Sequence, residues 1–430
     1  MTEKDRFIIE GGHPLGGHLR VQGAKNSVLP IMAAAVMCRG ESRIDNVPDL
    51  SDVRTAISIL RHLGAKVRRE GASLYVDASS LTAHDIPDGL MRRMRSSVFF
   101  LGAILAACGR CEMSYPGGCE LGPRPIDLHI DALRELGISI SEEGGRLTAR
   151  VEHPRAGDVH LAFPSVGATE NAMLAACAIP GTTRIRNAAR EPEIRNLQEF
   201  LNAAGACILG AGSETIEIRG GRPLHPAHIR IMPDRIVAAT WLCAAAAAGG
   251  DLFLDEAEEE TVATVCRSLR RAGVRIDRER GGLRVRSTGR LRGGEVIRTQ
   301  PYPGFPTDAQ AILMATLAKS EGVSIFVENI FDSRFRHVSE LVRMGANIRT
   351  EGRTAVVCGV PRLCGCEVCA CDLRAGAALC VACLAAEGES TLFHVSHIDR
   401  GYENVIQLLN QAGASIRRVA GEEEGGKSGM

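Results

Sequence analysis

One pattern recurs six times along this 430-residue chain, and it limits what the chain can fold into. It reads "LGAKVRREGASLYV" from Leu63, "LGISISEEGGRLTARV" from Leu136 and "AGACILGAGSETIEI" from Ala204. It returns as "AGVRIDRERGGLRV" from Ala272, "MGANIRTEGRTAVV" from Met344 and "AGASIRRVAGEEE" from Ala412. Each copy places a glycine where a helix should stop, then an alternating strand, a glycine-containing turn and a second strand. Glycine suits a helix C-terminus because it accepts positive φ, and the alternation fits a half-buried hairpin. The copies lie roughly 70 residues apart, longer than ordinary solenoid periods, so each unit is a small α/β subdomain.

A second echo lies between the hairpins. A polar opening precedes a nearly all-apolar run of small residues: Lys25-Asn26 before "SVLPIMAAAV", Arg95-Ser96-Ser97 before "VFFLGAILAAC", and Ser165 before "VGATENAMLAACAI". The later three are Asp234-Arg235 before "IVAATWLCAAAA", Asp308 before "AQAILMATLA", and Arg374 before "AGAALCVACLAAEG". A helix apolar on every side is buried on every side. Its N-terminus carries unpaired N–H groups and the positive end of the macrodipole, which favour anions. Six such ends bearing Lys, Arg, Asn and Ser suit a highly anionic ligand, with plain N-capping as the bland alternative at each. Six units divide into two domains of three. The expected domains are residues 1–23 with 233–430, and residues 24–232, with a disordered Gly- and Glu-rich tail over about 421–430.

Composition narrows the class. A hydrophobic content of 45% can fill a sizeable core. Lys+Arg and Asp+Glu are equal at 51 each, so the charge gives no reason to expect nucleic acid or an anionic membrane. The N-terminal "MTEKDRFIIEGGHPLGG" lacks an apolar signal core, and the longest apolar run, from Ile236, is too short to span a bilayer. Fifteen cysteines in so long a chain without a signal read as reduced thiols. The expectation is a soluble, cytoplasmic monomer.

Packing does not explain one of those cysteines. Cys119 in "YPGGCELGPRPIDLH" follows two glycines and precedes Gly-Pro-Arg-Pro, a loop setting for a residue type that is usually buried. Arg124, five residues further on, would favour the thiolate. A separate cluster, "CGCEVCACDLRAGAALCVAC" from Cys364 to Cys383, has spacings that occur in zinc and iron–sulfur sites. There, however, "CEVCACDL" alternates like a strand, and Cys380 and Cys383 fall inside an apolar helix, so cysteine substitutes for small hydrophobes.

The motifs "GAKNSVLP", "MRSS", "PGGCELGPRPIDLH", "SVGATEN", "NAAREPEI", "MPDRI", "FPTDAQA", "RFRHV", "DLRA" and "HIDRGYE" together resemble the UDP-N-acetylglucosamine enolpyruvyl transferases, in family order from about Gly16 to Val419. The resemblance implies a two-domain inside-out α/β barrel, each domain three repeated α/β units with the helices inside. It implies transfer of the enolpyruvyl group of phosphoenolpyruvate to the 3-hydroxyl of UDP-N-acetylglucosamine, releasing phosphate, without metal or cofactor. That is the first committed step of bacterial peptidoglycan synthesis, with no nucleic acid or membrane as partner.

By the same resemblance Cys119 is the general acid, which phosphonate epoxides such as fosfomycin alkylate, and Asp308 the candidate base at the sugar hydroxyl. Lys25 and Arg400 complete the catalytic set. Phosphoenolpyruvate would be held by Lys25, Asn26, Arg124, Arg334, Arg374 and Arg400, whose guanidinium forks suit phosphate and carboxylate. The nucleotide sugar would be held by Arg95, Arg124, Pro125, Ile126, Asp127, Leu128, Ser165, Val166, Gly167, Asp308 and Ile330. A complete site would need residues from both halves of the chain. The chain departs from the family pattern at Val237, where relatives commonly carry an acidic residue, at Ser333, where asparagine is common, and at Phe99, where some members have a larger aromatic. None of these positions carries chemistry. Three readings remain beside it: the sister enzyme acting on shikimate 3-phosphate, a structural metal site at Cys364–Cys383, and a non-catalytic binder of the nucleotide sugar.

Overall fold

A computed structural model describes residues 5–115 and 126–421, with Arg95 described in its backbone alone. The chain divides into two compact units. The first comprises Met1–Val21, Arg235–Gln300 and Gly304–Met430; the second comprises Gln22–Asp234 with Pro301–Pro303. The tail expected to be disordered lies, apart from Gly421, outside the described residues.

Six four-stranded sheets stand among the described residues, three in each unit, and all share one topology. The sheet containing Glu41–Asp45 serves as the example. That strand pairs parallel with the short His228–Arg230 and antiparallel with Ser73–Asp77, which in turn pairs antiparallel with Lys66–Glu70. The last two strands are the hairpin read from the first echo. The sixth sheet differs in its origin. The position filled elsewhere by the hairpin's second strand is taken by Arg6–Glu10, antiparallel to both Glu389–Phe393 and Ser415–Val419. The sixth echo therefore provides one strand of its hairpin, and the N-terminus provides the other. The third echo departs too, its first strand shrinking to Ile208–Leu209.

An amphipathic outer helix precedes each hairpin, and its glycine does what the pattern requires. Gly64, Gly137, Gly205, Gly273, Gly345 and Gly413 all have positive φ, between 79° and 101°. After five of these helices the residue following the glycine donates back to a carbonyl of the helix's last turns, as in Ala65 N–H to Leu60 C=O at 3.0 Å and Ala414 N–H to Leu409 C=O at 3.0 Å. This bond satisfies a helix-end carbonyl and starts the strand in a fixed direction.

The second echo forms the cores. In the second unit the inner helices are α1 (Lys25–Ala34), α2 (Phe100–Cys108) and α3 (Val166–Ala178), with α2 packed on both α1 and α3. In the first unit α4 (Arg235–Ala248), α5 (Thr307–Leu317) and α6 (Leu373–Ala385) pack on one another. Their alanines, such as Ala244, Ala245 and Ala246, are fully buried, so small side chains let three helices meet at one axis while the sheets surround them. Both hydrophobic clusters are built this way, helices inside and sheets outside. No helix among the described residues is long and apolar enough to cross a membrane.

Candidate functional site

The polar openings lie at the N-terminal ends of inner helices, Arg95-Ser96-Ser97 as a 3-10 turn ahead of α2, but their capping chemistry differs from the simple expectation. In the second unit α1 begins at Lys25, and its cap residue Ala24 has no capping side chain. The Lys25 N–H instead donates to the Asp234 carboxylate at 3.0 Å, from 209 residues away. Asp234, expected to open α4, thus serves α1. Lys25 Nζ lies 2.7 Å from Asp52 Oδ2, a carboxylate whose side chain is 2% exposed, which fixes the ammonium at this helix end. Asn26 stands half-buried beside it. Pro30 inside α1 has no N–H to offer the Asn26 carbonyl four residues back, which leaves that oxygen outside the helical ladder. Gly23 makes the approach possible: a Cβ there would sit 1.9 Å from the Asn46 carbonyl oxygen.

The residues expected around the nucleotide sugar lie on neighbouring elements of the same unit. Ser165 caps α3, its hydroxyl accepting from Ala168 N–H at 3.4 Å, and Val166 and Gly167 form the first turn. A Cβ on Gly167 would lie 2.8 Å from the His129 ring and 3.0 Å from the Phe99 ring, so only glycine fits. Ile126 is buried, Leu128 half-buried and Asp127 exposed at the start of the outer helix Asp127–Glu135. Arg95 begins a short 3-10 turn, Arg95–Phe99.

Asn171, which the sequence pattern conceals inside an apolar run, joins these segments. Its amide donates to the Val98 carbonyl at 3.0 Å, meets His129 Nδ1 at 2.7 Å, and accepts from Gly102 N–H at 2.7 Å. Next to it Glu170 is fully buried, with no hydrogen-bond partner for either oxygen among the described residues. Burial first, then Glu193 and Glu191 nearby, hold its carboxyl well above the usual carboxylate range. Cys119, Arg124 and Pro125 lie outside the described residues.

The first unit gathers the acidic and cationic residues assigned there. Asp308 occupies the first turn of α5, after Pro306 at the cap position, and no capping side chain is present. Its carboxylate lies instead between two guanidiniums. Arg334 Nη2 donates to Oδ1 at 2.5 Å, and Arg374 Nη2 donates to Oδ2 at 2.8 Å. The arginine side chains are only 2% and 7% exposed, whereas Asp308 is 28% exposed, so the carboxylate is the accessible part of the cluster. The capping alternative for Asp308 is therefore replaced by a two-arginine clamp.

Arg374 is aimed by its own helix end: Asp372 caps α6, accepting from the N–H groups of Arg374 at 2.8 Å and Ala375 at 3.0 Å. Behind Arg334 the buried His337 is pushed down to about 4, chiefly by burial. Arg400 ends a 3-10 turn, Val395–Arg400, that packs on the start of α6, where Gly401 abuts Leu373 and Gly376 abuts Ile398. Arg418 grips the adjacent Asp399 bidentately at 3.0 and 2.6 Å. Ile330 is half-buried in the loop after Val323–Val327. Val237 is packed in the core within α4, and Ser333 lies beside Arg334.

The cysteine cluster divides between two environments. Cys380 and Cys383 are buried in α6, while Cys364 is exposed and Cys366, Cys369 and Cys371 are half-buried. Among the described residues no group of three or more His, Cys, Asp or Glu is arranged to hold a metal ion, and every described cysteine carries a free thiol.

Comparison with known proteins gives this arrangement a family. Residues 9–409 match the model of EPSP synthase (3-phosphoshikimate 1-carboxyvinyltransferase). UDP-N-acetylglucosamine 1-carboxyvinyltransferase 2 of Caldanaerobacter subterraneus subsp. tengcongensis is 47% identical over 414 residues, covering 96% of this chain and 99% of the relative. UDP-N-acetylglucosamine 1-carboxyvinyltransferase 1 of Symbiobacterium thermophilum is 48% identical over 423 residues, 96% of this chain and 95% of the relative. This chain belongs to the UDP-N-acetylglucosamine 1-carboxyvinyltransferase family. The fold of the family is shared with the enolpyruvyl transferase NikO from Streptomyces tendae, at a TM-score of 0.87 and 26% identity over 96% of this chain and 99% of that one. It is shared also with EPSP synthase from Acinetobacter baumannii, at a TM-score of 0.73 over 97% of this chain and 100% of that one. The second likeness, at 18% identity, concerns fold alone. The shikimate reading thus has less behind it than the 1-carboxyvinyltransferase relatives give the nucleotide sugar.

Proposed function

We propose that this chain transfers the enolpyruvyl group of phosphoenolpyruvate to the 3-hydroxyl of UDP-N-acetylglucosamine and releases phosphate, the first committed step of peptidoglycan synthesis. The sugar oxygen adds to C2 of phosphoenolpyruvate while a proton is delivered to C3, giving a tetrahedral ketal. Loss of a proton from C3 and cleavage of the C2–O bond to phosphate then leave the enol ether. In this reading Asp308 takes the hydroxyl proton and Cys119 delivers the proton to carbon. Lys25, Asn26, Arg124, Arg334, Arg374 and Arg400 hold the phosphate and carboxylate, where charge develops. The nucleotide sugar rests on Arg95, Arg124 to Leu128, Ser165 to Gly167, and Ile330. The enzyme works as a monomer in the cytoplasm and needs no cofactor.

The observation that carries this reading is Asp308 between Arg334 and Arg374 at a helix N-terminal turn. A carboxylate held by two guanidiniums is a resting arrangement, because both cations are aimed at one point and an incoming anion can share them. Asp308, the most exposed member, is then left facing the acceptor hydroxyl.

A coupled phosphate-release assay with two acceptors tests the proposal. Turnover with UDP-N-acetylglucosamine and none with shikimate 3-phosphate is expected. The reverse preference would transfer the chain to the sister reaction, and phosphate release from neither acceptor would leave the non-catalytic binder.

A further inference from the structure

Glu328 is a buried carboxylate that the proposed reaction does not use. It is 1% exposed, immediately after the strand Val323–Val327, and it accepts four hydrogen bonds from three separate segments. Oε1 accepts from Thr299 Oγ1 at 2.9 Å and from the N–H groups of Ile330 at 2.9 Å and Phe331 at 3.1 Å. Oε2 accepts from Thr307 Oγ1 at 3.1 Å. All four partners are donors, so both oxygens act purely as acceptors.

A buried carboxyl group is expensive to desolvate, and a fold that needed only packing here would place an apolar residue. The four bonds do something an apolar residue cannot. Thr307 immediately precedes Asp308, the proposed base, in the first turn of α5. Ile330 is the residue assigned to the nucleotide sugar, and Phe331 lies with its ring 5.5 Å from the guanidinium carbon of Arg334, which grips Asp308. The loop is pinned a second time, since the Asn329 N–H donates to Thr299 Oγ1 at 2.8 Å and its amide to the Thr299 carbonyl at 3.1 Å.

We propose that Glu328 is a positioning residue that holds the Ile330 loop in register with the helix turn carrying Asp308, so that a sugar bound on the loop presents its hydroxyl to the base. The inference rests on the reading of Asp308 and Ile330 given above. Misplacement of a reacting group by about 1 Å can lower turnover about 10²-fold, so a tether spanning both partners acts on the rate without touching substrate.

Glutamine separates this role from simple packing. Its carbonyl oxygen can keep the three donors of Oε1, and its amide N–H can donate to the Thr307 hydroxyl, which reverses direction. Alanine loses all four bonds. Kinetics of Glu328→Ala and Glu328→Gln, with both substrates varied, provide the test. For Glu328→Ala, kcat should fall about 10²-fold and KM for UDP-N-acetylglucosamine should rise about tenfold. Glu328→Gln should restore both to within about threefold. A folded alanine variant with both parameters unchanged overturns the proposal, and so does a glutamine variant as impaired as alanine.

If the alanine variant fails to fold, Thr307→Val removes only the link to the helix turn. It should lower kcat while KM for the nucleotide sugar stays put, and an unchanged kcat overturns the proposal equally. Wild-type enzyme in the same assay keeps the two readings apart. No turnover by wild type sinks the proposed function, whereas wild-type turnover with unresponsive variants sinks the role of Glu328 alone.

Discussion

Replacing Asp308 with asparagine separates its chemistry from its electrostatics. The carboxylate neutralises two guanidiniums whose side chains are 2% and 7% exposed, so its charge supports the fold as well as its proposed role as base. Removing one partner of a buried ion pair costs about 3–5 kcal/mol. Here the carboxylate is 28% exposed and asparagine retains one oxygen for one arginine, so about 1–2 kcal/mol is the fitting estimate. That corresponds to a fall in Tm of about 2–8 °C for a unit of this size. Turnover should fall about 10²-fold or more, the scale for loss of a general base, with UDP-N-acetylglucosamine binding largely kept. Scanning calorimetry and single-turnover kinetics on the same preparation read both effects. Inorganic phosphate should recover part of the lost Tm by binding the arginines, and should recover none of the rate. A variant with wild-type turnover would refute the base, and one with unchanged Tm would refute the clamp.

Glu170→Gln should stabilise the protein at neutral pH. The fold holds this carboxyl well above the usual carboxylate range, so it keeps its proton to higher pH folded than unfolded, and the wild type loses stability as pH rises above the ordinary 4.5 until the folded group itself ionises. Urea unfolding between pH 5 and 8 should show the variant's advantage growing with pH, and a constant gap would contradict it. His337 works in the opposite direction: its folded value of about 4 lies below the ordinary 6.5, so its contribution is intact above 6.5 and is lost as pH falls toward 4. His337→Asn should flatten that acid-side loss, and parallel wild-type and variant curves would exclude His337 as its source. Alkylation by fosfomycin, mapped by peptide mass spectrometry, should reach Cys119 first and faster with UDP-N-acetylglucosamine present. The exposed Cys364 should trail it, and the thiols of Cys177, Cys243 and Cys383, which burial pushes up to about 12, should stay unmodified. Cys364 labelled first, or activity surviving complete modification of Cys119, would remove the loop thiol from the mechanism.

The fold was legible where its signal is local. A glycine at positive φ after an amphipathic helix is read from a few adjacent residues, and six such glycines reveal six units. What escaped was set by distant partners. The sequence places residues 1–23 with the C-terminal half, but nothing in the pattern of Arg6–Glu10 says that it inserts between Glu389–Phe393 and Ser415–Val419 in one sheet. Asp308 reads as a base that could also cap its helix, and its orientation is decided by Arg334 and Arg374, 26 and 66 positions away. Glu170 and Asn171 were hidden by averaging, two polar residues inside a helix otherwise built for burial. Glu328 ends an ordinary strand pattern, and its meaning comes from Thr299 and Thr307 folding back upon it.

The proposed reaction makes a bond between the sugar's 3-oxygen and C2 of the enolpyruvyl group. The most direct measurement is NMR of the product formed from UDP-N-acetylglucosamine and phosphoenolpyruvate carrying carbon-13 at C2. A labelled vinyl ether carbon coupled across oxygen to the sugar's H3 is expected, formed in step with inorganic phosphate. Label recovered as pyruvate, or attached at any other hydroxyl, would contradict it.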